Sequence, residues 1–413
     1  MVSAENYKNN RERFAAALPD CTAALLFSGE NKHMSGDTDY RFFVDRNFFY
    51  LTGLENAEYV LLIEKNSGIV STRLYAPARD SMKERWHGKR QDFADIAAAA
   101  GLAAEEVLDL EKYEEKEFEL IRNEEVKLYL DKTSVMAKPH ELRTKIEKNG
   151  RKVADLSEIT TPLRLIKQPY EIESIIEAAR ITEEAIEEMK TLIRPGVSEY
   201  ELYTKLEYEM ARRSTMNFAF ETIVSCGRNA FYLHHSEPEK EGDGIAREGS
   251  MIQLDLGARV NGYCADISRV FFLGQPSGEN DRRMKLLGLI QELRKAAFDF
   301  IAPGKTFAEL NSQMYDIAGK WLAGQGLIPD NFTVEEVRQY YWHNTSHYLG
   351  LDVHDVGPRD KAFESGNCLA VEPGVYIPEW NIGFRIEDDC LVTENGCQLL
   401  SSGNDSPEGI IVG

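Results

Sequence analysis

The stretch MIQLDLGARVNGYCADISRVFF, residues 251–272, predicts a β-hairpin, because two strand-like runs flank the turn pair Asn261-Gly262. Asp255 lies on the first run and Asp266 on the second. Residues that face each other across an even-length loop have numbers with an odd sum, and 255 plus 266 is 521, so the two carboxylates share one face. They are diagonal neighbours if the turn is centred on Asn261-Gly262, and direct partners if it is centred one residue earlier.

Two carboxylates on one face of a half-buried hairpin need a compensating charge. The neighbouring residues are apolar, which predicts burial: Ile252, Leu254, Leu256, Ile267 and Phe271. Like charges opposed on a sheet repel, and burying them is costly unless a cation or a proton intervenes. The alternative is an acidic pair that faces solvent. The apolar neighbours favour a bound positive charge.

A second pair of acids occupies another predicted hairpin. LAVEPGVYI, residues 369–377, and GFRIEDDCLVT, residues 383–393, are strand-like runs that carry Glu372 and Glu387. Arg385 lies two positions before Glu387, so both side chains point to the same face. Arg385 can therefore orient a neighbouring carboxylate or bind a substrate anion, and the alternative is a plain surface ion pair.

Histidines are concentrated between the two hairpins. Three of the eight lie in HNTSHYLGLDVHDVG, residues 343–357: His343, His347 and His354. A single histidine is more often a satisfied core or surface residue, but this clustering favours ligands or catalytic groups. His234 and His235 form a second, weaker group before the first hairpin.

Four carboxylates and one imidazole are a donor set suited to a pair of divalent first-row ions. The charges also balance, because two dications offset the four negative charges of Asp255, Asp266, Glu372 and Glu387. A water molecule that bridges such ions ionises near neutral pH and acts as a nucleophile. The six cysteines include no CxxC pair, which argues against structural zinc and against a disulfide framework.

The length of 413 residues and the order of the elements predict two domains. In the first, residues 1–161, the predicted strands are residues 23–27, 59–64, 72–76 and 127–130, and the predicted helices are residues 91–104 and 114–122. This pattern breaks around Pro162, where a second domain of residues 162–413 begins. Its predicted helices are residues 169–192, 199–213 and 282–301, the second of them opened by a capping box at Ser198 and Glu201.

Composition limits the possible partners. The 48 Lys and Arg residues against 69 Asp and Glu residues give a net charge of -21, which argues against a nucleic-acid partner. No run approaches the roughly 18 uncharged apolar residues of a membrane span, and the first residues lack the apolar core of a secretion signal. We therefore expect a cytoplasmic protein without membrane contact, and with its cysteines reduced in the core.

The blocks that carry these acids and histidines resemble the signature blocks of the pita-bread metallopeptidases of family M24. They are LDLGARVNGYCADISRVF, HNTSHYLGLDVHDVG, VEPGVYIPEWNIGFRIEDD and LVTENGCQLLS, in a match that spans residues 163–401. The likeness is to the aminopeptidase P and prolidase branch, most of all to Xaa-Pro aminopeptidases. DRNFFYLTGLENAEYVLLI, residues 45–63, is similar to the amino-terminal domain of aminopeptidase P. The resemblance implies an α/β (α+β) protein, with an aminopeptidase P-like α/β domain at 1–161 and a catalytic pita-bread domain at 162–413.

The resemblance also implies a dinuclear metal site, commonly manganese, with cobalt, zinc or iron as alternatives. The implied metal ligands are Asp255, Asp266, His347, Glu372 and Glu387. The implied catalytic residues are His234, His354 and Glu372. The implied substrate-binding residues are His343 at the proline pocket, Arg385 beside a metal-site carboxylate, Tyr376 and Arg359.

One position departs from the family pattern. The family usually has glycine after the first histidine of the HxxSH block, and this chain has Asn344. If the position requires a positive φ, asparagine is the best-tolerated substitute for glycine. We therefore expect the local geometry to be preserved.

The implied reaction is hydrolysis of the bond between an N-terminal residue and a following proline in peptides. A prolyl amide has no N–H and a fixed φ, so it fits badly in peptidases that hold their substrate as an extended strand. By hypothesis, a hydroxide that bridges the metal ions attacks the carbonyl, and Glu372 acts as general base and then passes the proton to the proline nitrogen. His354, or His234 beside it, would stabilise the oxyanion, and the free amine would lie against the acidic cluster.

Three rival functions and one question of assembly stay open. A prolidase would perform the same chemistry on dipeptides and bind the prolyl carboxylate through Arg359 or Arg385. Methionine aminopeptidases share the catalytic fold but do not require the amino-terminal domain, and a non-catalytic binding protein would have lost metal ligands. Family members often pair through the amino-terminal domain, which implies a homodimer or a higher homo-oligomer. The aromatic residues 40–50 are then either a contact surface or a core strand.

Overall fold

The computed structural model describes residues 2–214, 217–278, 281–402 and 410–412. The chain folds into two compact units, Met1–Arg164 and Leu165–Gly413. The predicted start of the second domain at Pro162 lies inside a helix, Ser157–Leu165. The helix therefore continues through the position where the sequence pattern changes. Proline removes one helical hydrogen bond, but the helix extends three residues beyond Pro162.

The first unit is an α/β structure, as the sequence predicts. Its helices are α1 (Ala4–Ala17), α2 (Arg46–Thr52), α3 (Ser81–His87), α4 (Phe93–Ala100), α5 (Glu111–Arg122), α6 (Ala137–Lys148) and α7 (Ser157–Leu165). Its strands are β1 (Thr22–Phe27), β2 (His33–Ser35), β3 (Thr38–Asp39), β4 (Val60–Asn66), β5 (Ile69–Ala76), β6 (Val107–Asp109), β7 (Lys127–Leu130) and β8 (Ala154–Asp155). Six strands form a mixed sheet in the order β6-β5-β4-β1-β7-β8, in which β1 is antiparallel to β4 and parallel to β7.

The aromatic segment 40–50 is not the core strand that was one of its two predicted structures. Tyr40 is 58% exposed, whereas Tyr50 is 1% exposed, so the segment passes from surface to core. The buried part is helix α2 and not a strand, because the Asp45 side chain accepts a hydrogen bond from the backbone N–H of Phe48 and caps the helix. The left-handed Gly53 then ends it.

The second unit contains the remaining elements. Its helices are α8 (Pro169–Lys190), α9 (Glu199–Arg213), α10 (Arg282–Phe300), α11 (Phe307–Gly324) and α12 (Val334–Val337). Its strands are β9 (Ile223–Cys226), β10 (Met251–Leu256), β11 (Arg259–Val260), β12 (Tyr263–Cys264), β13 (Ile267–Leu273), β14 (Ser346–Tyr348), β15 (Cys368–Val371), β16 (Gly374–Ile377), β17 (Ile382–Arg385), β18 (Asp388–Thr393), β19 (Gly396–Leu399) and β20 (Ile411–Val412). The two larger sheets have the orders β20-β13-β10-β9 and β14-β15-β18-β19.

Two layers of helices cover these sheets. Helices α8 and α9 pack their apolar faces on β10 and β13, with Ile186 and Leu206 in one core cluster. Helices α10 and α11 contribute Leu293 and Leu310 to a second cluster. The predicted capping box of α9 is confirmed, because Ser198 Oγ accepts from the N–H of Glu201. Within the described residues, the helices lack the combination of length and apolar character that a bilayer span requires.

The cysteines are free thiols, as expected from their spacing. Four of them are buried: Cys226, Cys264, Cys368 and Cys390. Cys21 is exposed, so the expectation of a core thiol is wrong for this residue, whereas Cys397 is partly buried and packs against the core cluster that contains Leu293. Cys21 lies in an exposed bend just before β1, with a φ of 55°.

Candidate metal centre

The first acidic hairpin has the register centred on Asn261-Gly262. Asp255 pairs with Ser268 across β10 and β13, so Asp255 and Asp266 are diagonal neighbours on one face rather than direct partners. Asn261 and Gly262 have φ values of 50° and 86°, the left-handed conformation of a tight hairpin turn. The predicted shared face is therefore confirmed, and of the two registers left open the structure has the one centred on Asn261-Gly262.

The second hairpin places Glu372 opposite Glu387. Val371 pairs with Asp388 on one side of these glutamates, and Gly374 pairs with Arg385 on the other. Both pairs belong to the same register. Strand β14 continues the sheet and pairs His347 with Ala370, two positions before Glu372. Since alternate residues of a strand share a face, His347, Glu372 and Glu387 project from the same side.

Hydrogen bonds join the two hairpins edge to edge. Gln253 Oε1 accepts from the backbone N–H of Arg385 at 3.0 Å, and Ser268 O accepts from the N–H of Glu387 at 3.1 Å. Ser268 Oγ donates to Glu387 Oε2 at 3.0 Å, and Arg269 Nη1 donates to Glu387 O at 2.7 Å. These contacts bring the second pair of acids to the first.

Three predicted ligands meet at one point. Oxygen or nitrogen atoms of Asp266, His347 and Glu387 all lie within 4.8 Å of one another, and all three side chains are buried. His347 Nε2 is 3.3 Å from Asp266 Oδ2 and 3.8 Å from Glu387 Oε1. His347 Nδ1 lies 3.0 Å from the carbonyl oxygen of Tyr348, which can only accept, so Nδ1 carries the hydrogen. In the neutral ring, the lone pair of Nε2 therefore points at the two acids.

Asp255 completes one side of this cluster. Arg385 Nη2 donates to Asp255 Oδ2 at 2.5 Å, a contact through which it can orient this carboxylate. Asp255 Oδ1 is buried and has no hydrogen-bond partner among the described residues. A buried carboxylate oxygen without a donor is costly, and a cation would satisfy it.

The pKa values show the same mutual repulsion. Burial, with the charge of Asp255 next, raises the pKa of Asp266 well above its usual range. Burial and then Asp266 raise the pKa of Glu387 well above its usual range. Burial also raises the pKa of Glu372 to about 7, although His347 and Arg385 oppose the shift. Without added positive charge the cluster is forced to bind protons.

The donor set fits divalent metal ions. Five side chains, Asp255, Asp266, His347, Glu372 and Glu387, line one cavity and offer carboxylate oxygens with one imidazole nitrogen. Oxygen-rich sites with a single histidine suit hard or borderline dications. The unpartnered Asp255 Oδ1 and the raised pKa values are what such ions would resolve.

The cavity, of about 540 Å³, also contains most of the predicted catalytic and substrate residues: His234, His343, His354, Arg359 and Arg385. The ring of His354 stacks on His347 with centroids 3.9 Å apart and planes 7° apart. Partial burial, with His347 and Arg359 next, lowers the pKa of His354 to about 4. The ring is therefore neutral at pH 7 and can donate one hydrogen bond.

His343 lies between Glu372 and Tyr376. Its Nδ1 is 3.3 Å from Glu372 Oε2 and 3.0 Å from Asn344 O, both acceptors, and its Nε2 is 3.1 Å from the hydroxyl of Tyr376. Burial, and then Arg385, lower the pKa of His343 to about 4, so its neutral ring donates from Nδ1 and accepts at Nε2.

Comparison with known proteins identifies the catalytic unit. A model of metallopeptidase family M24 matches residues 173–394, more than half of the chain. The chain belongs to metallopeptidase family M24. A second model, of the aminopeptidase P N-terminal domain, matches residues 7–129 of this M24 protein. M24 membership implies divalent metal ions, in agreement with the cluster of acids.

Relatives of the M24 chain extend the likeness to nearly its full length. The Xaa-Pro aminopeptidase of Haemophilus influenzae is 28% identical over 416 residues, which cover 96% of this chain and 94% of the relative. The solved structure of Escherichia coli aminopeptidase P with the inhibitor Pro-Leu has a TM-score of 0.89 and 27% identity, and covers 99% of this chain and 97% of that chain. A Xaa-Pro dipeptidase of Pyrococcus furiosus is 30% identical over 262 residues, which cover 62% of this chain and 69% of the relative.

Tyr376 lies behind the M24 site rather than in its wall, and Asn344 has an unstrained backbone. Tyr376 is fully buried and does not line the cavity; its hydroxyl contacts His343 and Arg385, and its ring stacks on Trp342 at 4.6 Å. Asn344 is absent from the non-glycine residues with positive φ within the described chain, so the condition under which it would be strained is not met.

Asp389 is a further acid of the site that was not predicted from the sequence. Its Oδ2 accepts from the backbone N–H of Asp266 at 3.0 Å, and its Oδ1 is buried with no hydrogen-bond partner among the described residues. Burial raises its pKa well above the usual range. The signal was present, because both residues belong to the strand-like run 383–393, and residues two positions apart in an extended run share a face.

Proposed function

We propose that this M24 protein is a Xaa-Pro aminopeptidase that uses two divalent metal ions to hydrolyse the bond between an N-terminal residue and a following proline. The convergence of Asp266, His347 and Glu387 within 4.8 Å carries the proposal. Asp255 and Glu372 line the same cavity. The full-length similarity to Xaa-Pro aminopeptidases supports the choice of substrate class.

The metal ligands in this proposal are Asp255, Asp266, His347, Glu372 and Glu387. Four carboxylates offset two dications, and the excess of oxygen donors favours manganese over the softer zinc. Bound divalent ions supply Lewis acidity and make a water molecule nucleophilic at neutral pH. Arg385 fixes the orientation of Asp255, and Asp389 fixes the backbone of Asp266.

Glu372 is the proton acceptor in this scheme. Once the repulsion from neighbouring acids is offset, its carboxylate is ionised and can take the proton of the attacking water. The same carboxylate can return the proton to the proline nitrogen, which must be protonated to leave as an amine. His343 lies beside this carboxylate, with Nδ1 3.3 Å from Glu372 Oε2, while the hydrogen bond of Nδ1 is to the carbonyl oxygen of Asn344.

The substrate side of the cavity matches a prolyl peptide. Neutral His343 borders the place where proline would lie, with Tyr376 behind it as a support rather than a direct contact. Arg359 lies at the cavity wall, where it can meet a carbonyl or carboxylate of the peptide. The solved structure of the Escherichia coli relative with the inhibitor Pro-Leu supports a site that accepts a prolyl peptide.

His354 and His234 are the proposed donors to the developing oxyanion. We expect His354→Ala to lower kcat for Leu-Pro-Ala by about a hundredfold, because one preorganised hydrogen-bond donor is lost from the site. Metal content, measured by elemental analysis, should stay near that of the unmodified enzyme. The exposed His140 of helix α6 provides a control, and His140→Ala should be fully active. Unchanged kcat in His354→Ala would remove this residue from the mechanism.

Prolidase is the alternative that a direct assay can separate. It requires an arginine for the prolyl carboxylate, and Arg385 is already engaged by Asp255, by the hydroxyl of Tyr376 and by Leu233 O. Arg359 is then the candidate. We propose the aminopeptidase because the dipeptidase relative covers only 62% of this chain. Hydrolysis of Leu-Pro-Ala but not of Leu-Pro supports it, and a preference for Leu-Pro contradicts it.

Assembly, the pita-bread architecture and location complete the proposal. We infer a homodimer or higher homo-oligomer that uses the amino-terminal unit, where Tyr40 and Phe43 are about half exposed. Light scattering of the full chain tests this, and a monomeric mass at micromolar concentration would contradict it. The pita-bread description of the second unit and the cytoplasmic location stay predictions from the sequence.

A further inference from the structure

One buried carboxylate holds the segment that carries His234. Glu199 is the first residue of helix α9, and its side chain is fully buried. It accepts four hydrogen bonds, from Cys226 N at 2.6 Å, Asn229 Nδ2 at 2.9 Å, His235 Nε2 at 3.0 Å and Glu239 N at 2.9 Å. The first two donors bind Oε1 and the last two bind Oε2.

These donors are spread along residues 226–239, and part of this segment lines the metal cavity. Leu233, His234 and Ser236 of this segment line the cavity. On the opposite side, Arg385 Nη2 donates to Leu233 O at 3.2 Å. The segment is thus hydrogen-bonded to Glu199 on the side away from the cavity and to Arg385 on the side of the metal centre.

The chemistry of the contact requires a carboxylate. All four partners donate, so both oxygens must accept, and hydrogen bonds to a charged acceptor are roughly twice as strong as neutral ones. A glutamine at this position would turn its NH₂ group toward two N–H donors and could accept only on its single oxygen. Glu199→Gln therefore keeps the size of the side chain and removes about half of its holding contacts.

We propose that Glu199, acting with His235, is a positioning residue for the peptidase reaction, which fixes His234 in the orientation that contacts the substrate. This inference rests on the proposed function, in which His234 acts at the scissile bond. His235 is bonded to Glu199 directly, and the adjoining His234 lines the cavity from the same fixed backbone. Glu199 itself does not line the cavity and serves only through this segment.

The test is a double-mutant cycle on kcat for Leu-Pro-Ala with Glu199→Gln, His234→Ala and the double variant, each loaded with Mn²⁺. We expect Glu199→Gln to lower kcat between about ten- and a hundredfold, the effect of a small misplacement of an active-site group. KM should change less than about threefold, and metal content should be unchanged. In the His234→Ala background the same substitution should have almost no further effect, because its target is gone.

Multiplicative losses of kcat in the cycle would overturn the proposal, as would a loss of bound metal in Glu199→Gln. If Glu199→Gln does not yield folded protein, His235→Ala is used in the same cycle, since it removes one of the four bonds at a partly exposed position. Glu209→Gln is the matched control, because Glu209 is also buried on the same helix but contacts Lys205, Arg212 and Arg213 instead. It should leave kcat unchanged.

The cycle separates this inference from the proposed function. If the unmodified, Mn²⁺-loaded protein does not hydrolyse Leu-Pro-Ala, the proposed function fails and the inference fails with it. If it hydrolyses Leu-Pro-Ala but Glu199→Gln and His234→Ala act independently, only the positioning role is contradicted.

Discussion

At the scale of single residues, the site is defined by charges that cannot all exist in the fold without ions. Asp266, Glu372 and Glu387 carry raised pKa values within one cluster. Arg385 hydrogen-bonds the neighbouring Asp255 rather than any of these three within the described residues. The free energy that metal binding supplies is therefore set partly by the repulsion that it relieves. This explains why acids that destabilise the metal-free protein are present at its centre.

This repulsion predicts that Asp266→Asn stabilises the metal-free protein and destabilises the metal-loaded protein. Because burial and Asp255 raise the pKa of Asp266, the stability that its protonated form contributes at low pH is lost as the pH rises. Asparagine has no such titration. At pH 8 in EDTA we expect the variant to be more stable than the unmodified protein, by at least about 1 kcal/mol in urea unfolding.

With saturating Mn²⁺ the unmodified protein should be more stable than Asp266→Asn, because the variant lacks a metal ligand. Urea unfolding at pH 8, once with EDTA and once with Mn²⁺, measures both differences in stability. Greater stability of the unmodified protein under both conditions would show that Asp266 is not part of a repelling cluster.

A buried ion pair next to His354 gives a second residue-scale prediction. Lys167 Nζ lies 2.9 Å from Asp355 Oδ2, and both side chains are 1% exposed. Lys167→Met leaves the buried Asp355 without this cation, and we expect a loss of about 3–5 kcal/mol in the free energy of unfolding. Adding Asp355→Asn should recover part of this loss in urea unfolding. A double variant less stable than Lys167→Met would contradict the pairing.

At the scale of elements, strand registers bring the ligands together. The sequence predicted the shared face of Asp255 and Asp266 from counting alone, and the Asn261-Gly262 turn selected the diagonal register. The Glu372 and Glu387 pair was predicted from its strand-like runs. What could not be predicted is the edge-to-edge joining of the hairpins through Gln253 and Ser268, because contacts between distant segments leave no local pattern.

Irregular segments account for the errors at this scale. The Pro162 region, where the pattern predicts a break, is helical, and residues 40–50 mix an exposed stretch with helix α2. Asp389 was missed although its spacing from Glu387 predicts the shared face. Glu199 carries no motif, since its four donors come from a segment that begins 27 residues later.

The start of helix α8 gives a pH prediction. Burial raises the pKa of Glu171 to about 7, while its oxygens accept from Tyr263 Oη and Gln168 N at 2.6 Å each. A raised carboxyl pKa means that the folded state holds a proton that the unfolded state releases. The stability from this group is therefore present below about pH 4.5 and is lost as the pH rises to about 7, in total roughly 3 kcal/mol.

Glu171→Gln should remove this dependence, because an amide does not titrate. We expect the fall in urea-unfolding free energy between pH 5 and pH 8 to be smaller in Glu171→Gln than in the unmodified chain, with EDTA present in both. An identical fall in the two proteins would assign the pH dependence to other groups.

At the scale of the whole molecule, the chain combines two units with separate cores. The M24 unit holds every predicted metal ligand, and family models match both units. Composition and resemblance together were sufficient for the family and the divalent metals.

The most direct test is a Mn²⁺ titration of metal-free protein, followed by the rate of Leu-Pro-Ala hydrolysis with Leu-Ala-Ala as the control peptide. We predict negligible hydrolysis without metal, a rise that saturates at two Mn²⁺ per chain, and little cleavage of Leu-Ala-Ala, because the site is built for a prolyl bond. Full hydrolysis of Leu-Pro-Ala in EDTA, saturation at one ion, or equal cleavage of both peptides would contradict the account.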